Sequence, residues 1–154
     1  MEKFKELGLS NKLLKAVEKL GFEEPTKVQK LSIPHIVEGK DVVGESATGS
    51  GKTLAFGTGV VGNIEPGQGL QGLILAPTRE LARQCNDMLD RISHFKKLQI
   101  ISVYGGVSIN PQIKKLQTAE VVCATPGRLL DHISRQTIDL SNIKLLVLDE
   151  ADRM

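Results

Sequence analysis

Five short apolar runs punctuate the chain: DVVG at 41–44, GLILA at 72–76, QIISV at 99–103, EVVCA at 120–124 and KLLVLD at 144–149. None alternates polar with apolar, which is the pattern of strands covered on both faces of a parallel sheet. Between them lie segments with helical period. In TRELARQCNDMLDRISHF the residues Leu81, Cys85, Met88, Leu89 and Ile92 form one apolar stripe. In TPGRLLDHISR, Thr125 is a candidate cap, Pro126 takes the first helical position where its missing N–H is harmless, and Leu129, Leu130 and Ile133 lie below. Two helices precede the first run. Ser10 caps NKLLKAVEKL, which Gly21 ends, and Thr26 opens KVQKLSIPHIVEG. The connector IEPGQGLQG at 64–72 is expected to be the most flexible. Strands alternating with helices predict a doubly wound α/β fold, a mainly parallel sheet flanked by helices. The chain stops at DEADRM, five residues past a strand that belongs inside a sheet, so the expected fold is incomplete at its C-terminal side and the chain a fragment of a longer protein.

Composition narrows the classes. The 154 residues suit one domain, and 40% hydrophobic with 25% charged residues is ordinary for a globular chain. A net charge of +2 is too small to attract a polyanion by bulk charge, and four Phe, one Tyr and no Trp argue against a broad base-stacking platform. Any nucleic acid must be held by local geometry. Cys85 and Cys123 form no CxxC pair, which fits a reduced, intracellular setting. His35, His94 and His132 have no metal-ligand spacing and are read as surface or core residues. The charged N-terminus lacks the apolar core of a signal peptide, and no apolar run is long enough for a membrane helix. The protein is expected to be soluble, a monomer, and cytoplasmic, or nuclear if the cell has a nucleus.

The stretch ESATGSGKT, from Glu45 to Thr53, carries the chemistry. A glycine-rich turn between a strand and a helix aims backbone N–H groups at one point, where the helix dipole adds positive potential. Ser46, Ala47, Thr48, Gly49, Ser50 and Gly51 would wrap a phosphate chain, Lys52 would reach its outer phosphates, and the Thr53 hydroxyl suits magnesium. The strict phosphate-loop pattern has glycine where this chain has Ser46, a position that only begins the turn. Asp149 and Glu150 supply the complementary carboxylates at the end of an apolar strand. Asp149 would hold the metal through water, and Glu150 would act as base or orient the attacking water.

The motifs GFEEPTKVQ at 21–29, TGSGKT at 48–53, PTRELA at 77–82, the pair Gly105 and Gly106, TPGR at 125–128 and DEAD at 149–152 occur in the order seen in DEAD-box RNA helicases. Over its whole length the chain resembles the N-terminal RecA-like, P-loop NTPase domain of that family. The resemblance implies ATP and Mg2+ as ligands and RNA as partner, bound through its backbone without regard to sequence. It implies that Gln29 reads the adenine edge, with Phe22 and Phe4 packing on the base, while Thr26 to Gln29 also forms a capping box. It implies that Pro77, Thr78, Arg79, Gly105, Gly106, Thr125, Pro126, Gly127 and Arg128 hold RNA. The threonines stand at helix starts, where unpaired N–H groups can donate to phosphate, and the arginines bring charge. Asp152 would couple the nucleotide site to a later Ser-Ala-Thr motif. That motif and a second RecA-like domain with arginine fingers lie outside this sequence, so unwinding is expected only of the longer protein.

Two other classes compete. A phosphate-loop kinase or small GTPase needs an acceptor site or a guanine reader such as NKxD, and the sequence offers neither. A degenerate helicase half acting as a non-catalytic interaction module is opposed by the presence of Lys52, Asp149 and Glu150 together.

Overall fold

The computed structural model describes residues 1–154. They fall into two compact units, Met1–Asn63 with Arg91–Lys96, and Ile64–Asp90 with Lys97–Met154.

The first unit is helical: α1 (Glu2–Lys5), α2 (Asn11–Lys19), α3 (Lys27–Val37) and α4 (Lys52–Asn63). Local chemistry sets its boundaries. The Ser10 hydroxyl accepts the Leu13 N–H at 3.3 Å and so satisfies a donor that α2 leaves open. Gly21 ends that helix at φ 82°, with its N–H on the Glu18 carbonyl at 2.9 Å. α3 opens with a complete capping box between Thr26 and Gln29. α3 packs along α4, and α2 also meets α4. α4 has no polar face: Leu54, Ala55, Thr58, Val60 and Val61 are all buried, as in a helix covered on every side. Burying each of its Leu and Val side chains contributes roughly 1.5–3 kcal/mol.

The second unit holds a four-stranded, wholly parallel sheet: β1 (Gly72–Leu75), β2 (Ile100–Val103), β3 (Val121–Ala124) and β4 (Leu145–Leu148), in the order β2-β3-β1-β4. The connections carry α5 (Arg79–Ile92), α6 (Asn110–Leu116) and α7 (Pro126–Ser134), and β4 runs into a short 3-10 turn, Ala151–Arg153. The register decides where the loops emerge. Leu75 pairs with Ala124 and Leu148, and Val103 pairs with Ala124, so all four strands finish level and release their loops along one edge. One core cluster contains Leu73, Val103, Leu116, Val122, Ala124 and Leu129.

Four expectations are corrected. DVVG is not a strand: 41–44 has no regular structure and Val43 is fully exposed. A strand exists only through its ladder, and nothing pairs with this segment. β4 is not covered on both faces, since Leu146 and Leu148 are more than half exposed. The apolar face of α7 is rotated: Leu129 and His132 point inward, while Leu130 and Ile133 are exposed, because His132 finds buried hydrogen-bond partners. The connector at 64–72 is tied down. The Gln71 amide, fully buried, donates to Glu65 and Gly69 carbonyls at 2.8 and 2.9 Å and accepts the Glu65 N–H at 3.1 Å. The buried Glu120 carboxylate accepts the N–H groups of Gly67 and Gln99.

Candidate functional site

In the first unit the stretch Ser46–Gly51 is an irregular turn that passes directly into α4 at Lys52. Gly49 and Gly51 take φ of 78° and 90°, a region side chains disfavour, and this turns the backbone into the helix start. Ala47, Thr48 and Gly49 are exposed, and Ser46, Ser50, Lys52 and Thr53 half-buried. The loop closes on itself: the Ser46 and Ser50 hydroxyls lie 2.6 Å apart, and the Lys52 ammonium donates to the Ser46 carbonyl at 2.9 Å. The polar groups of Ser46, Ser50 and Lys52 are thus gathered and paired with one another at the start of α4.

Gln29 joins this loop to α3. It is fully buried. Its side-chain carbonyl accepts the Thr26 N–H at 2.9 Å, and its amide donates to the Gly51 carbonyl at 3.1 Å. The same residue thus caps a helix and braces the phosphate-loop turn. Phe22 is half-buried. Phe4, expected against a base, is instead completely buried in α1 and offers no face to a ligand, because the ring is the apolar side of that short helix.

In the second unit the level strand ends bring four loops together. From β1 comes Pro77–Thr78–Arg79, from β2 Tyr104–Gly105–Gly106, from β3 Thr125–Pro126–Gly127–Arg128, and from β4 Asp149–Glu150. The carboxyl edge of a parallel sheet is where such folds place their ligands. The Thr78 hydroxyl caps α5 by accepting the Leu81 N–H at 3.2 Å, whereas Thr125 makes no side-chain cap bond. Arg79 donates to the Gly105 carbonyl at 2.9 Å and lies 5.0 Å from the centre of the Tyr104 ring, a cation–π contact. Gly106 has φ 79°, and any Cβ there would run into the Arg79 guanidinium.

The acidic pair has a support that its sequence did not announce. The Asp149 N–H extends the ladder to the Leu75 carbonyl at 2.9 Å, and the buried Cys85 thiol donates to Asp149 Oδ2 at 3.6 Å. Burial first, then the Asp149 charge, pushes the Cys85 pKa up to about 12, so the sulfur keeps its proton at neutral pH and remains a donor. Glu150 takes left-handed backbone angles, φ 48° and ψ 49°, and its carboxylate accepts from Arg153 at 2.9 Å. Asp152 is exposed in the turn after it.

His132, read from sequence as a packing residue, is wholly buried with both ring nitrogens occupied: Nδ1 lies 2.7 Å from the Thr137 hydroxyl and Nε2 3.0 Å from Gln112 Oε1. Burial first, and then the Arg128 charge, hold its pKa below the usual value. A histidine whose pKa is depressed by folding binds its proton more readily when unfolded. Its stabilisation is therefore complete above the unfolded value, about 6.5, and is lost as pH falls through the folded value. The expected result is a lower melting temperature at about pH 5.5 than at about pH 7.5, with a smaller drop in a His132→Asn variant. An unchanged drop in that variant would assign the effect to other groups.

A glycine-rich turn opening a helix, and an acidic pair leaving a parallel strand, define the P-loop NTPase class of fold. The sequence profile of the DEAD/DEAH box helicase family matches residues 26–154, and the chain belongs to that family. It is 49% identical over 154 residues to the ATP-dependent RNA helicase CshA of Limosilactobacillus reuteri, covering 99% of this chain and 31% of that one. It is 47% identical over 156 residues to the DEAD-box ATP-dependent RNA helicase CshA of Bacillus cereus, covering 100% and 30%. The chain thus spans about 30% of the length of the curated relatives it matches. Among solved structures, a DEAD box protein from Methanococcus jannaschii superposes with TM-score 0.95 at 44% identity, covering 99% of this chain and 42% of that one. S. cerevisiae Dbp5 bound to RNA and ADP BeF3 superposes with TM-score 0.88 at 34% identity, covering 100% and 39%.

Proposed function

We propose that the chain is the ATP- and RNA-binding portion of an ATP-dependent RNA helicase. The observation that carries this reading is the level edge of the parallel sheet. Two helix starts, a diglycine turn and two arginines emerge there beside an acidic pair, a set of main-chain donors and charges suited to a phosphate backbone. The CshA relatives, named as ATP-dependent RNA helicases, and the RNA- and nucleotide-bound Dbp5 support the same ligands.

Residues Ser46 to Thr53 would bind the phosphates of ATP, with Lys52 supplying charge. The oxygen donors Thr53 and Asp149 are of the hard kind that magnesium prefers, a metal that uses few protein ligands. When bound, magnesium neutralises developing charge on the phosphates. Glu150 would orient the attacking water, its carboxylate held by Arg153. Arg79 and Arg128, with the N–H groups that open α5 and α7, would bind RNA phosphates. Hydrolysis coupled to unwinding belongs to a longer protein whose second domain adds charge to the transition state. This chain alone should show little RNA-stimulated turnover.

A fluorescent ATP analogue titrated into the chain tests the reading. Binding should require magnesium, and ATP should compete better than GTP. Gln29 can read adenine only by exchanging its bonds to the Thr26 N–H and the Gly51 carbonyl for bonds to the base. With that exchange, Gln29→Ala should weaken ATP binding by about tenfold and erase the preference for adenine, since a bidentate amide contact distinguishes bases by roughly 1–3 kcal/mol. If the variant only melts earlier and still prefers adenine, Gln29 is a capping and bracing residue alone.

A further inference from the structure

Gln112 is buried on α6 and belongs to none of the helicase motifs, yet its side chain joins two of the loops assigned to RNA. Its amide nitrogen donates to the Tyr104 carbonyl at 2.9 Å, at the root of the diglycine turn. Its oxygen accepts from Arg128 at 3.1 Å and faces His132 Nε2 at 3.0 Å. Arg128 in turn donates to the Val107 carbonyl at 3.0 Å, beyond the two glycines, and its Nε lies 3.8 Å from Asp131.

These bonds leave the amide one orientation. The Tyr104 carbonyl can only accept, so Gln112 must present nitrogen to it and oxygen to Arg128, which can only donate. That oxygen requires His132 to carry its proton on Nε2, which leaves Nδ1 to accept the single Thr137 hydroxyl proton at 2.7 Å in preference to the His132 carbonyl at 3.2 Å. The two fixed ends, the Tyr104 carbonyl and Arg128, dictate the direction of the Gln112 bonds and with them the proton on His132 Nε2.

We infer that Gln112 is a positioning residue for RNA-backbone binding, its buried amide setting the distance between the diglycine turn and the start of α7, with His132 locking which way the amide faces. Arg128 holds the same two elements together from the outside through Val107. The RNA-facing lip is therefore clamped before RNA arrives. A chain without the inner clamp must order that lip during binding and binds more weakly. The inference rests on the proposed RNA-binding function.

The test is a double-mutant cycle on this chain, read as affinity for a short fluorescent single-stranded RNA across a salt series. Arg128→Ala and Gln112→Leu should each weaken binding by about tenfold, and the double variant by about tenfold rather than a hundredfold, because both act through one clamp. Both single variants should flatten the dependence of affinity on salt by about one phosphate contact. Gln112→Glu keeps the acceptor for Arg128 and His132 but cannot donate to Tyr104. It should retain the salt dependence of the unmodified chain with a smaller loss of affinity, and it carries the test if the leucine variant does not fold. Losses that multiply in the double variant, or a Gln112→Glu chain as impaired and as salt-insensitive as Arg128→Ala, overturn the inference alone. RNA binding indifferent to Arg128→Ala overturns it together with the function it rests on.

Discussion

Lys52→Ala should reduce affinity for ATP by about 10- to 100-fold while leaving the folded chain almost as stable as before. The magnitude comes from what the ammonium does in each state. Without ligand it makes one half-exposed hydrogen bond to the Ser46 carbonyl at 2.9 Å, which contributes about 1 kcal/mol or less. With ligand it would donate to phosphate oxygens in charge-assisted bonds of about 1.5–3 kcal/mol, and each 1.4 kcal/mol is roughly tenfold in affinity. Titration with a fluorescent ATP analogue and a urea melt on the same sample separate the two quantities. Affinity within about twofold of the unmodified chain, at unchanged stability, would mean that the loop does not hold phosphate.

The second large effect is expected at Gly51. An alanine there meets two obstacles: the backbone sits at φ 90°, and the added Cβ falls on the Gln29 amide nitrogen. The first costs about 1–2 kcal/mol. The second pushes a fully buried amide off the Gly51 carbonyl and disturbs the capping box, leaving polar groups unsatisfied at about 1–3 kcal/mol. Gly51→Ala should therefore lose about 2–5 kcal/mol of stability and most of its nucleotide binding. Gly49→Ala is the internal control. Gly49 has φ 78°, but nothing lies within 4 Å of its added Cβ, so only the backbone penalty applies. Chemical denaturation of the two variants side by side gives the energy of the Gln29 brace as their difference. Equal losses would show that the brace contributes nothing.

What could be read from the sequence was what neighbouring residues decide among themselves. Ser10, Gly21, Thr26 and Pro126 mark helix ends through groups within three positions of each other, and each stands where its chemistry predicts. Four apolar runs became strands because each found a neighbour to pair with. The fifth, DVVG, had the same apolar character and no partner, and composition cannot supply a ladder. The phosphate-loop and acidic motifs were legible for the same local reason, since their residues are consecutive. Their supports were not. Cys85 meets Asp149 across 64 positions, Gln29 meets Gly51 across 22, and Gln112 meets His132 across 20. Nothing in the spelling of either segment announces such a meeting. The rotated face of α7 has this origin too: Ile133 looks more suited to a core than His132, and it is Thr137 and the distant Gln112 that make the histidine the better inward residue. The connector at 64–72 looked mobile because it is rich in glycine and contains a proline, while the buried Gln71 that fastens it is ambiguous in sequence.

The left-handed backbone at Glu150 bears on how this protein can be improved. Asparagine or glycine would sit there more comfortably, so a screen that rewards only heat tolerance should drift toward those residues and gain about 1 kcal/mol. Such winners would outlast the parent in a melting curve while lacking the carboxylate proposed to face the attacking water. Under the proposed role of Glu150, selection for durability and selection for turnover of the longer protein would pull in opposite directions at this one position.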